Sequence, residues 1–177
     1  GGVAATSVTL TANTMALGAT ANAIQGGAGI VTLQQKTNNR LIDLGGADSG
    51  TTLGLTSNEL GTIATTSALH IGNATSGAIA ITAPVAPSQA TTRLTSGAGI
   101  SSTAPANTFT GTSLALVAGG TINVNTAVTN LAASTSAGGI TISNTTAGTL
   151  NVTTVDATVA GLTSSDTAIS LTETTGA

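Results

Sequence analysis

The stretch Thr112-Ser113-Leu114-Ala115-Leu116-Val117-Ala118-Gly119-Gly120-Thr121-Ile122-Asn123-Val124 carries two short aliphatic alternations separated by a glycine corner. The same texture returns in Ile140-Thr141-Ile142, Leu150-Asn151-Val152 and Ile169-Ser170-Leu171. Alternation over three residues sends two side chains to one face of a strand and the middle one to the other. Written in rows of nineteen, Leu131, Leu150 and Ile169 share a column, and Ala133, Val152 and Leu171 share a second inward one. Ser134, Thr153 and Thr172 form a hydroxyl column. Gly119, Gly138 and Ala157 form a turn column, and Ala118-Gly119-Gly120 returns as Ala137-Gly138-Gly139. Apolar, hydroxyl and turn positions stay in phase together, which marks a repeat.

A period near twenty suits a leucine-rich repeat or a β-solenoid. The Asn-containing leucine-rich consensus is missing, so two short strands per coil with Gly, Asn, Ser and Thr corners predict a parallel β-helix. About nine coils of roughly 19–20 residues, stacked at ~4.8 Å, would make a rod of roughly 45 Å.

Composition agrees with a narrow tube. Charged residues are 5% of the 177 and aromatics 1%, the one aromatic being Phe109, while Thr and Ser together supply roughly 30%. An ordinary domain is about a quarter charged. Here Ala, Val, Ile and Leu must form the whole core. Positive mean hydropathy and scarce Pro, Glu and Lys argue against a disordered chain. The three basic residues, Lys36, Arg40 and Arg93, give a net charge of −3, too little cation to neutralise phosphates, so nucleic acid is excluded as a partner. No apolar run approaches a membrane span, and no cysteine is present for disulfides or thiolate metal sites. No basic-then-apolar leader is visible at the start, so the chain reads as a single β-solenoid unit, 1–177, processed or cut from something longer.

The N-terminal half repeats less cleanly. Its strand candidates are Val8/Leu10, Val31/Leu33, Ile42/Leu44, Leu53/Leu55, Leu69/Ile71 and Ile79/Ile81. Thr56 followed three residues later by Glu59 is a capping-box pattern, and Leu60 and Ile63 share a helical face. A short helical turn is therefore expected near 57–63. Pro84, Pro87 and Pro105 withhold ladder donors, which predicts irregular, loop-containing coils over 82–112, with Phe109 as a plug beneath them.

The stretch Arg40-Leu41-Ile42-Asp43-Leu44-Gly45, then Leu53-Gly54-Leu55-Thr56-Ser57-Asn58-Glu59-Leu60, Leu69-His70-Ile71-Gly72 and Gly77-Ala78-Ile79-Ala80-Ile81, resembles a recurring repeat of filamentous-haemagglutinin-like exoproteins. These are very large bacterial proteins commonly exported by two-partner secretion. The resemblance covers about forty residues. It implies a right-handed parallel β-helix, an extracellular or cell-surface location, and a structural role in adhesion, surface coating or filament formation. The Asn-Pro-Asn motifs of that family's secretion domain are absent, which points to the repeat body.

Chemistry is sparse. Polysaccharide-active β-helix enzymes need clustered carboxylates beside a base, and the six acids are Asp43, Asp48, Glu59, Asp156, Asp166 and Glu173. Asp43 and Asp48 with Lys36 and Arg40 read as a solvated corner, and Asp156 and Asp166 as opposite sides of one coil. His70, the only histidine, takes the outward middle position of its strand, with no nucleophile or metal partner in sequence. Gly26-Gly27-Ala28-Gly29 and Gly45-Gly46-Ala47-Asp48 approach a calcium-binding nonapeptide without repeating it. No catalytic, cofactor or metal residue is therefore assigned. Sequons at Asn73, Asn144 and Asn151 are no more than such a composition gives by chance. Ice binding would need paired Thr-x-Thr columns over many coils. The expected partners are the chain itself, by end-to-end stacking or continuation, and glycans of host or neighbouring cell surfaces.

Overall fold

Aliphatic pairs one residue apart, set between polar corners, specify strands too short to stand alone and oblige them to stack. A computed structural model describes residues 7–165 and 167–174. The chain forms β1 (Ser7–Thr11), β2 (Ile24–Gly27), β3 (Ile30–Gln34), β4 (Leu41–Leu44) and β5 (Thr52–Leu55), then one helical turn, α1 (Ser57–Leu60). β6 (Ile63–Thr65), β7 (Ala68–Asn73), β8 (Ile79–Ile81), β9 (Thr91–Ser96) and β10 (Ile100–Ser102) follow. Two long strands, β11 (Thr108–Ala118) and β12 (Ile122–Thr135), precede β13 (Ile140–Asn144) and β14 (Asn151–Val152). The last elements are β15 (Thr154–Val155), β16 (Val159–Ala160), β17 (Leu162–Ser164) and β18 (Ile169–Glu173).

Fourteen strands join one sheet, paired in parallel throughout, which curls through 271°. One side of the curl runs β1-β3-β7-β9-β11-β12, with β14 and β17 both laid on β12. The other runs β5-β4-β8-β10-β12-β13-β18. β12 serves both sides because it is long enough to turn the corner. Its residues from Ile122 pair with β10 and β13, those from Asn125 pair with β11, and those from Asn130 also pair with β14 and β17.

Inward residues stack in register along each side. On the second side Leu53, Ile42, Ile79, Ile100, Ile122, Ile140 and Ile169 lie in one line. On the first, Leu10, Leu33, Ile71, Leu94, Leu116, Ala133 and Leu162 do the same. Most of these side chains are fully buried. Each fully buried Leu or Ile among them contributes roughly 1.5–3 kcal/mol of apolar burial, which is why so few large residues suffice.

The spacing differs from the expected nineteen. Paired residues are 17 apart between β11 and β12 (Ser113 with Asn130), 21 between β12 and β14 (Asn130 with Asn151), and 38 between β3 and β7 (Val31 with Leu69). Leu131 lies beside Val152, not Leu150, and Ile169 beside Ile140; Ala133 meets Leu162 and Leu171 meets Ile142. Local strand pairing fixes the columns, while corner loops absorb differences in length at little entropic cost. Uniform coils of 19–20 residues are therefore corrected to coils of variable length. The columns proposed for Val152, Thr153, Leu171 and Thr172 change with them.

The helical turn forms where Thr56 and Glu59 place it. Thr56 Oγ1 accepts from Glu59 N, and Glu59 Oε2 accepts from Thr56 N at 2.9 Å. Leu60 and Ile63 are buried, although Ile63 belongs to β6 and not to the turn. Residues 82–112 are more regular than their prolines predict. β9, β10 and the start of β11 are ladder strands, and Pro84, Pro87 and Pro105 sit in the intervening loops. Phe109 is buried and bridges to Val85 in the first of those loops.

Two polar or backbone devices hold corners shut. Asn144, fully buried, accepts from Thr126 Oγ1 (2.7 Å) and Val128 N (3.0 Å), and donates to Val128 O and Glu173 Oε2. Gly72 breaks the extended run of β7 at φ 77, where an added Cβ would lie 2.3 Å from Thr95 O.

Replacing Ile100, the one aliphatic side chain that β10 sends inward, interrupts the isoleucine line. Ile100→Ala is expected to lower unfolding free energy by about 2–5 kcal/mol, whereas Ser101→Ala on the outward side changes it by less than about 0.5 kcal/mol. Urea unfolding of both variants checks the contrast.

Candidate functional site

The outward positions of the first side form their own column. Register places Thr32 beside His70, His70 beside Arg93, Arg93 beside Ala115 and Ala115 beside Ala132. Two long polar side chains thus stand next to two methyl groups. Over this column lies β15-β16, an antiparallel hairpin in which Val155 pairs with Val159. Its valines pack onto Ala115 and Ala132, with Val117 alongside.

The hairpin tip meets two side chains of the sheet through Asp156. Asp156 Oδ2 lies 3.0 Å from His70 Nε2 and 3.3 Å from Arg93 Nη1. Arg93 Nη1 also donates to Thr158 Oγ1 at 2.9 Å, and Arg93 Nε to Thr95 Oγ1. The His70 contact has the distance of an ion pair without the alignment of a hydrogen bond. The directed bond is therefore the one from Arg93. His70 points outward, as its place in Leu69-His70-Ile71 predicts, but it is not alone: Asp156, brought back by the hairpin, is its partner. Asp166, the other acid expected on that coil, lies outside the described residues.

Open grooves flank the hairpin. One, of about 360 Å³, is lined by Arg93, Val117, Ser134, Thr158, Val159 and Thr163 among others. Another, of about 450 Å³, lies between Ile30, Ser67, Thr91 and the Asp156-Ala157 tip. Their walls offer hydroxyls and short aliphatics without an aromatic platform. Arg93 already spends its charge on Asp156. Among the described residues no Ser or Thr hydroxyl is hydrogen-bonded to His70, so the imidazole and carboxylate lack an aligned nucleophile.

Asp48, Glu59, Glu173 and Arg40 serve as pins for loop backbone. Arg40 donates to the carbonyls of Asn13, Ser49, Gly50 and Thr52. Asp48 accepts from Met15 N and Gly54 N, both at 2.8 Å. Glu59 adds a bond from Leu17 N to its capping role, and Glu173 accepts from Asn144 and Thr146. Asp43 accepts from Thr82 Oγ1. Asp48 and Arg40 are therefore knit to backbone and Asp43 to a threonine hydroxyl, while Lys36 is exposed. Among the described residues no group of three or more His, Asp or Glu is placed to hold a metal, and no helix is long and apolar enough to cross a membrane.

Outward columns are chemically mixed. On the second side Asp43, Ala80, Ser101, Asn123, Thr141 and Ser170 succeed one another, which is not the paired threonine array that ice binding requires. Of the three sequons, Asn144 is buried, Asn73 is bonded to Gln34 and Gln35, and Asn151 is exposed on β14.

Comparison with family models, with curated proteins and with solved structures finds no match to this chain.

The hairpin seat can be dissected by a double-mutant cycle. Arg93→Ala and Asp156→Ala are each expected to destabilise, with a coupling of about 0.5–1 kcal/mol that shrinks in high salt. Denaturant unfolding of the four proteins at low and high ionic strength measures it.

Proposed function

We propose that this chain is a segment of a right-handed parallel β-helix that serves as an extracellular rod, stalk or filament of a bacterial surface adhesin, without catalysis. The observation that carries the reading is the unbroken inward line from Leu53 to Ile169, seven strands deep, in a chain whose described acids all bond to the fold itself. Such a sequence invests its residues in stacking and corner-pinning. The resemblance of residues 40–81 to filamentous-haemagglutinin-like repeats supports the same role and an extracellular location. Strands β1 and β5 at one end, and β14, β17 and β18 at the other, each pair with the sheet on one side. Those edges suit continuation of the coil or stacking of a second copy.

A second reading, a glycan- or surface-binding module, rests on the hydroxyl-lined grooves beside the hairpin. Their openness and the lack of an aromatic platform favour weak, repeated contact over a single tight site.

Antibodies raised against the chain should label intact producing cells or their shed material. Labelling that appears only after permeabilisation overturns the extracellular assignment.

A further inference from the structure

A wound parallel sheet is held together by nearest neighbours: each rung touches the one above and the one below. The β15-β16 hairpin departs from that rule. It leaves the first side between β14 and β17, both of which pair with β12, and folds back across the outside of the sheet. Its base is closed by Gly161 N donating to Thr153 O, and it is tied to the sheet by Ala133 N donating to Gly161 O. From there Val155 and Val159 rest on Ala132 of β12 and Ala115 of β11, and the tip reaches Arg93 of β9 and His70 of β7. Four successive rungs, spanning about 14 Å at the usual strand spacing, are thus touched by one short hairpin.

The seat is shaped for it. Elsewhere along the column the outward residues are Thr32, His70 and Arg93, whereas the two positions beneath the valines are alanines with no exposure. A longer side chain there would lift the hairpin off the sheet. The charged contacts fall where the apolar ones stop, so the hairpin is held at its root by packing and at its tip by Asp156 and Thr158.

We infer that this hairpin is a brace that couples rungs which do not otherwise touch, so that the end of the coil formed by β14 and β17 cannot fray without releasing contacts made as far back as β7. In a coil lacking such a tie, terminal rungs open independently and protection falls off toward the end. With it, the stretch from β7 to β17 opens as one unit. This property rests on the geometry of the first side and holds whatever surface or ligand the rod serves.

Hydrogen exchange on the full chain tests it, comparing wild type with Val155→Asp, which unseats the root, and Asp156→Ala, which releases only the tip. In wild type the amides of β14 and β17 should exchange at the same rate as those of β9. Val155→Asp should speed exchange in β14, β17 and the paired part of β12 at least tenfold while leaving β1 and β3 unchanged. Asp156→Ala should shift the same amides less. Acceleration confined to residues 153–161 would make the hairpin an appendage and overturn the inference. Equal acceleration from β1 to β18 would overturn it too, by making the hairpin part of a single global unit. Should Val155→Asp fail to fold, Asp156→Ala is judged by the same pattern.

Discussion

Register between successive parallel strands is the constraint on which every other feature of this molecule depends. A slip of one residue would turn an inward isoleucine outward and an outward asparagine inward. Because the two inward lines are built of single aliphatic side chains lying directly over one another, such a slip would misplace every rung of the line at once. Ile79, Ile100 and Ile122 are each aligned to their neighbours and fully buried. The backbone bonds and the apolar line therefore enforce the same alignment. β12 carries more of this burden than any other strand, since it continues both sides of the sheet around one corner.

Charge is used in the same service. A chain with so few ionisable groups uses several of them to hold loop backbone. Arg40 gathers four carbonyls, Asp48 and Glu59 each hold an amide of the N-terminal stretch, and Glu173 fixes the corner around Asn144. Buried or half-buried polar groups are costly unless bonded, and here the bonds are what define the loops. The result is a surface with little free charge.

Much of this was readable from local pattern. The aliphatic pairs such as Val31/Leu33 and Ile140/Ile142 are strands because alternation over three residues has few other solutions, and the Thr56-Glu59 spacing announces the helical turn. The period was not readable, because nothing in Leu131 or Leu150 declares how much chain the corner between them consumes. The hairpin was hidden for a different reason. Its turn is made by Asp156 and Ala157 at φ 57 and 56, a left-handed conformation that alanine rarely adopts, where the familiar signal would be Asn-Gly. Rows of nineteen put Ala157 among the turn residues, and it does turn, but within a hairpin folded onto the sheet and not at a corner of the coil. Missing the hairpin meant missing the company of His70, since the residue that meets it lies far along the chain.

Corner lengths that vary while the columns hold have an evolutionary reading. Along the isoleucine line alone, the separation between paired residues ranges from 11, between Ile42 and Leu53, to 37, between Ile42 and Ile79. Lengthening a loop twofold adds only about 0.6 kcal/mol of closure entropy. The exposed loop around Gly148, where an added side chain would meet nothing within 4 Å, is a place where foreign sequence could be grafted without retuning the interior. A sheet wound in this way keeps the residues that hold it together apart from those it exposes, so its outward face can diversify quickly while the inward columns stay the same.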